Sequence, residues 1–296
     1  MTPSGLYVPL ITPFAPDGTV DLPALERLAA DVLDAGASGV VALGTTAEPS
    51  CLTASERASV LDLLTNVCRG AQLIVGANDA ATLQAVPASA AAALTLVPPF
   101  VRPGADGVIA HLTALAAASP VPLVIYHVPY RTAQPLPAEA IRRLAAVPGV
   151  AGMKLAVGGI DTDTMELMAD PPPDFAILGG DDIFISPLLA LGAHGGILAS
   201  AHVATADYAT LTRSWEPALG HRLARLSAAL FAEPNPTVIK GVLHAQGRIA
   251  TPDVRLPLLP AAPQSVRTAD HRSRMTRTTF QPDLAGPEVQ MPPPAP

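Results

Sequence analysis

Lys154 stands in the run VAGMKLAVGG, which has no acid beside the lysine in sequence. An ammonium in so apolar a segment is costly to desolvate. Its pKa is expected to fall toward neutrality, leaving a nucleophilic amine. The composition adds weight, because 16 of the 18 basic residues are arginine and only Lys154 and Lys240 are lysine. The plain alternative is a lysine that reaches for solvent or pairs with a distant carboxylate. Tyr126 ends LVIY and offers a phenol for proton transfer; the competing reading is an aromatic core residue with a satisfied hydroxyl. His127, next in line, points to the opposite side of a strand and so to packing. Arg131, in VPYRT, could clamp a carboxylate with two parallel hydrogen bonds, or could be a solvated loop arginine. Gly44-Thr45-Thr46 follows a short apolar run and presents backbone N–H groups and two hydroxyls, which suits a carboxylate or phosphate.

These residues need a scaffold that brings distant segments to one point. Short β-branched runs at 6–11, 39–43, 72–75, 93–97, 123–126, 150–155, 175–178 and 195–199 alternate with longer segments of helical spacing. Eight strands alternating with eight helices is the count of a closed (β/α)8 TIM barrel, an α/β fold whose sites gather at the C-terminal ends of the strands. Thr45, Tyr126 and Lys154 all fall at such ends. Asp21, Thr53 with Glu56, and Asp181 are expected helix caps. The barrel is expected to occupy 1–215, a small C-terminal helical appendage 216–262, and a disordered proline-rich tail 263–296.

The net charge of −7 and the absence of a basic stripe exclude nucleic acid and anionic membrane as main partners. No signal peptide or membrane span is read, so a cytoplasmic protein is expected. Cys51 and Cys68, without a CxxC pair, fit free thiols in a reducing compartment. His111, His194, His202, His221 and His244 show no metal-binding spacing, so no metal is expected.

The segments ITPF, LGTTAEPSCLT, YHVPYRT, GMKLA, GGDD, LGAHGGILASAHVA and NPTVIKG occur in order between about residues 5 and 260. Taken together, the chain resembles the dihydrodipicolinate synthase/N-acetylneuraminate lyase family. The resemblance implies class I aldolase chemistry without metal or organic cofactor. In it, Lys154 forms a Schiff base with pyruvate or another 2-oxo acid, and the derived enamine attacks an aldehyde. Tyr126 and Thr45 would move protons, with Gly44, Thr46 and Ile197 on the 2-oxo acid and Arg131 on a carboxylate of the second substrate. A homo-oligomer, dimer or tetramer, is also implied. An aldolase or dehydratase for 2-keto-3-deoxy sugar acids, and a binding paralogue without catalysis, are the alternatives. Three departures from the family pattern stand out. Phe100 occupies the place of a relay tyrosine that crosses a subunit interface to the substrate site, GTTGE reads GTTAE, and the segment after Thr82 is about seven residues short, which predicts a stunted third helix.

Overall fold

The computed structural model describes residues 2–278. Strand β1 (Gly5–Pro9) leads to helix α1 (Leu22–Asp34), β2 (Gly39–Ala42) to α2 (Ala54–Val67), and β3 (Gln72–Gly76) to α3 (Ala80–Gln84). After β4 (Ala92–Leu96) and α4 (Gly104–Ala118), β5 (Leu123–His127) is followed by the single turn α5 (Pro129–Thr132) and by α6 (Ala138–Ala145). β6 (Val150–Leu155) precedes α7 (Thr162–Ala169), β7 (Ala176–Gly179) precedes α8 (Ile185–Ala190), and β8 (Gly195–Ile197) precedes α9 (Ala201–Arg213). Three further helices follow: α10 (Pro217–Leu230), α11 (Thr237–Ala245) and α12 (Pro263–Thr278). Neighbouring strands are parallel and β8 pairs with β1, so the sheet closes into the (β/α)8 barrel.

Alternation along each strand divides the apolar residues between two cores. Tyr7, Val41, Ile74, Leu94, Val124, Leu178 and Ile197 fill the barrel, whereas Leu73, Val75, Leu123, Ile125 and Met153 pack outward against the helices. The caps at Asp21 and Thr53 form as expected, the latter as a reciprocal box with Glu56. Asp181 does not cap; both its oxygens are engaged elsewhere, as described below. The third helix is short, with five residues capped by Asp79 and Thr82. Buried Leu83, Val86 and Ala90 belong to the outer core on this side and replace the missing turns.

The tail expectation needs correction over 263–278. Its polar composition conceals an apolar stripe at helical spacing, in which Val266 packs against the outer core and Ala269 and Ser273 are fully buried. Val266 comes so close to Gly241 of α11 that a side chain there would begin 2.5 Å from its Cγ2. Gln246 Nε2 donates to Asp270 Oδ1 at 2.9 Å and fixes the register. The rest of the expected tail, 279–296, lies outside the described residues. Truncation after residue 262 is therefore expected to lower the melting temperature by several degrees, measured by circular dichroism; an unchanged transition would contradict docking of α12.

Candidate active site

Tyr126 and Lys154 are partners in the β5–β6 register, so their side chains leave neighbouring strands on the same, inner face. The Lys154 ammonium nitrogen lies 4.3 Å from the centroid of the Tyr126 ring, within range of a cation–π contact. Both residues are buried at the floor of a cavity of about 410 Å³ at the C-terminal ends of the strands. Lys154 owes its place to a missing side chain opposite. A Cβ on Gly180, just past β7, would sit 2.6 Å from Lys154 Cε and 2.7 Å from Cγ. His127, one residue on, points outward as expected and is buried; burial pulls its pKa down to about 4 against the opposing pull of Asp161.

Thr45 and Thr46 lie in one tight turn directly after β2, with Gly44 at its head. Both threonines line the cavity, while Gly44 lines an adjoining compartment that also contains Thr45, Tyr126 and Arg131. Thr46 is fixed from beyond the barrel, because Asn235 Nδ2 donates to its Oγ1 at 2.9 Å. Among the described residues no hydrogen bond joins Thr45 directly to Tyr126. Ile197, buried at the end of β8, supplies apolar wall. Arg131, presented by α5, stands at the rim of both compartments and makes no ion pair among the described residues, which leaves a cation facing the cavity.

Phe100 lies outside the cavity of its own chain. It follows the Pro98–Pro99 turn beyond β4, is 86 % exposed and lines neither compartment of its own chain. The chain leaves the barrel here: Phe100 has a left-handed backbone (φ 67°), and its N–H donates to the Thr132 carbonyl. The ring is thus turned outward.

Three site residues escaped the sequence reading. Asp182, buried on the cavity wall, places an acid near Lys154 in space though none lies beside it in sequence. Burial pushes its carboxyl up to about 6, opposed by hydrogen bonding from Ser200 and by the Lys154 charge. Asn235 was visible only as part of NPTVIKG. Glu48, directly behind the threonine turn, accepts from Lys240 Nζ at 2.6 Å in an ion pair with both side chains almost fully buried. The signals for that pair were the rarity of lysine and the places of Glu48 in LGTTAEPSCLT and Lys240 in NPTVIKG.

The arrangement can hold a carbonyl compound between an amine, a phenol and two hydroxyls, with a guanidinium at the mouth. The model of the dihydrodipicolinate synthetase family matches residues 2–272. The chain belongs to this family. A 4-hydroxy-tetrahydrodipicolinate synthase of Neisseria gonorrhoeae is 34% identical over 271 residues, 86% of this chain and 92% of the relative. The crystal structure of dihydrodipicolinate synthase from Thermotoga maritima superposes with a TM-score of 0.87 at 27% identity, covering 94% of this chain and 99% of that one. The chloride-inhibited dihydrodipicolinate synthase of Acinetobacter baumannii, solved with pyruvate, gives 0.85 at 30% identity, with 92% and 99% covered. Membership agrees with the barrel and with the ordered motifs.

Replacing Gly180 by alanine should displace the Lys154 side chain while leaving the barrel folded. The expected result is a loss of turnover on the order of 10²-fold with an unchanged circular dichroism spectrum. Full activity in Gly180→Ala would show that the close approach does not position the amine.

Proposed function

We propose that this family member is a Schiff-base-forming synthase that condenses pyruvate with an aldehyde, in the manner of 4-hydroxy-tetrahydrodipicolinate synthase. The observation that carries the reading is the Lys154 amine, buried on the cavity floor beside Tyr126 and facing Arg131 at the rim. The amine adds to the keto carbon of pyruvate, and loss of water gives an iminium. That cation draws electrons from the neighbouring methyl carbon, which loses a proton to become an enamine. The enamine carbon bonds to the aldehyde carbon, whose oxygen takes up a proton. Water, or an amine carried by the second substrate, then displaces Lys154. Tyr126 and Thr45 pass the protons; Thr46 and the backbone at Gly44 hold the pyruvate carboxylate; Ile197 shields the carbon skeleton. Arg131 receives a carboxylate on the second substrate.

Asp182 gives the positive iminium a buried counter-charge. Phe100 and Val101, 86 % and 76 % exposed, fit burial against a second copy, in line with a homo-oligomer, dimer or tetramer. The free thiols Cys51 and Cys68 fit a cytoplasmic setting. Among the described residues no helix is long and apolar enough to cross a membrane. One observation favours a second reading, a 2-keto-3-deoxy sugar acid aldolase or dehydratase: Phe100 has no hydroxyl to serve a proton relay.

Pyruvate consumption with aspartate semialdehyde tests the proposal. Wild type should consume both, and Lys154→Arg should not, because a guanidinium stays protonated and cannot act as the amine. Arg131→Ala should weaken use of the semialdehyde by about 2–4 kcal/mol while changing pyruvate use much less. No consumption by the wild type would defeat the synthase reading, and equal losses for both substrates would remove Arg131 from the second-substrate site.

A further inference from the structure

We propose that Tyr130 and Asp181 form a clasp that restricts the second substrate to a short aldehyde, an inference that rests on the pyruvate-condensing reading above. The Tyr130 hydroxyl donates to Asp181 Oδ1 at 3.1 Å, and the Gly158 N–H donates to Oδ2 at 2.6 Å. One carboxylate therefore ties together the loops that follow β5, β6 and β7. All three residues line the Lys154 cavity. Tyr130 is 60 % exposed, so it stands at the mouth rather than on the floor. Its ring passes over Gly158, with Cδ1 3.7 Å from where a side chain would begin, and its centroid lies 6.0 Å from the Arg131 guanidinium carbon. Partial burial and the nearby Asp181 charge raise the Tyr130 pKa, which keeps the phenol protonated and donating to Asp181.

Selectivity follows from what remains to be bonded. A short aldehyde with a terminal carboxylate ends at Arg131 and needs nothing from the clasp. A polyhydroxylated chain running past Arg131 meets an aromatic ring and a carboxylate each of whose oxygens already accepts one hydrogen bond, which leaves less acceptor capacity for the chain's hydroxyls. Hydroxyls covered by the ring lose water and regain fewer partners, which is unfavourable. Tyr130 thus acts on length and on polarity together: the ring takes the room and the hydroxyl takes one of the carboxylate's acceptor sites.

Competition assays test this, with pyruvate present and aspartate semialdehyde set against erythrose or arabinose. Wild type should favour the semialdehyde. Tyr130→Ser, which removes the ring and opens the carboxylate, should shift the kcat/KM ratio toward the sugars by roughly tenfold or more. Tyr130→Phe, which opens only the carboxylate, should shift it in the same direction by less. Because each ratio is measured in one sample, partial misfolding of a variant cancels. Ratios in both variants equal to that of the wild type would overturn the clasp. A wild type that consumes pyruvate with neither class of aldehyde would instead overturn the parent function.

Discussion

The ion pair between Lys240 and Glu48 joins the two parts of the molecule that must agree for the site to exist. Glu48 follows the threonine turn and sits in the left-handed region (φ 55°), a conformation that costs a non-glycine residue about 1–2 kcal/mol. Its carboxylate is held from two sides, by Lys240 Nζ on Oε1 and by the Arg255 N–H on Oε2. Lys240 also donates to the Asp253 carbonyl and lies 4.1 Å from the centroid of the Phe14 ring. Burial pulls the Lys240 pKa down to about 8, against the opposing pull of Glu48. The pair therefore costs desolvation that only its geometry offsets, and removing one partner would leave a buried charge at a cost of about 3–5 kcal/mol. In return, the appendage helix α11 and the loop beyond it are locked onto the mouth of the barrel. Asn235, at the start of the same segment, reaches Thr46.

The two lysines thus divide the work. Lys240 meets a carboxylate at hydrogen-bond distance and is spent on architecture. Lys154 has a π face at 4.3 Å, a buried acid within electrostatic range, and a cavity open in front of it. The difference lies in the partners and not in burial, since both side chains are inside. Histidine follows the architectural pattern: His202 accepts from the Ile11 N–H through Nε2 and meets the Ala199 carbonyl through Nδ1, pinning the end of β1 to the β8–α9 junction.

Much of this was legible in the chain itself. The period-two runs and their spacing define the strands, and placement at strand ends puts Thr45, Tyr126 and Lys154 among the candidates, which the ordered family motifs then single out. Three kinds of feature were hidden, each for a physical reason. Long-range pairs such as Glu48–Lys240, separated by 192 residues, leave no local pattern. Asp181 has the sequence signature of a cap, but two better-placed donors compete for its oxygens. Helix α12 was masked by its average polarity, because one stripe of small residues is enough to dock on a surface that Gly241 leaves open. Phe100 shows a further limit: its place in the motif order was readable, but its outward direction depends on a positive φ set by the loop.

The division between the two lysines can be measured directly. The protein is incubated with pyruvate, reduced with borohydride, and digested for mass spectrometry of the peptides carrying Lys154 and Lys240. A single reduced adduct on Lys154, with Lys240 unmodified, is the predicted result. An adduct on Lys240, or none on either lysine, would contradict the assignment of Lys154 as the Schiff-base amine.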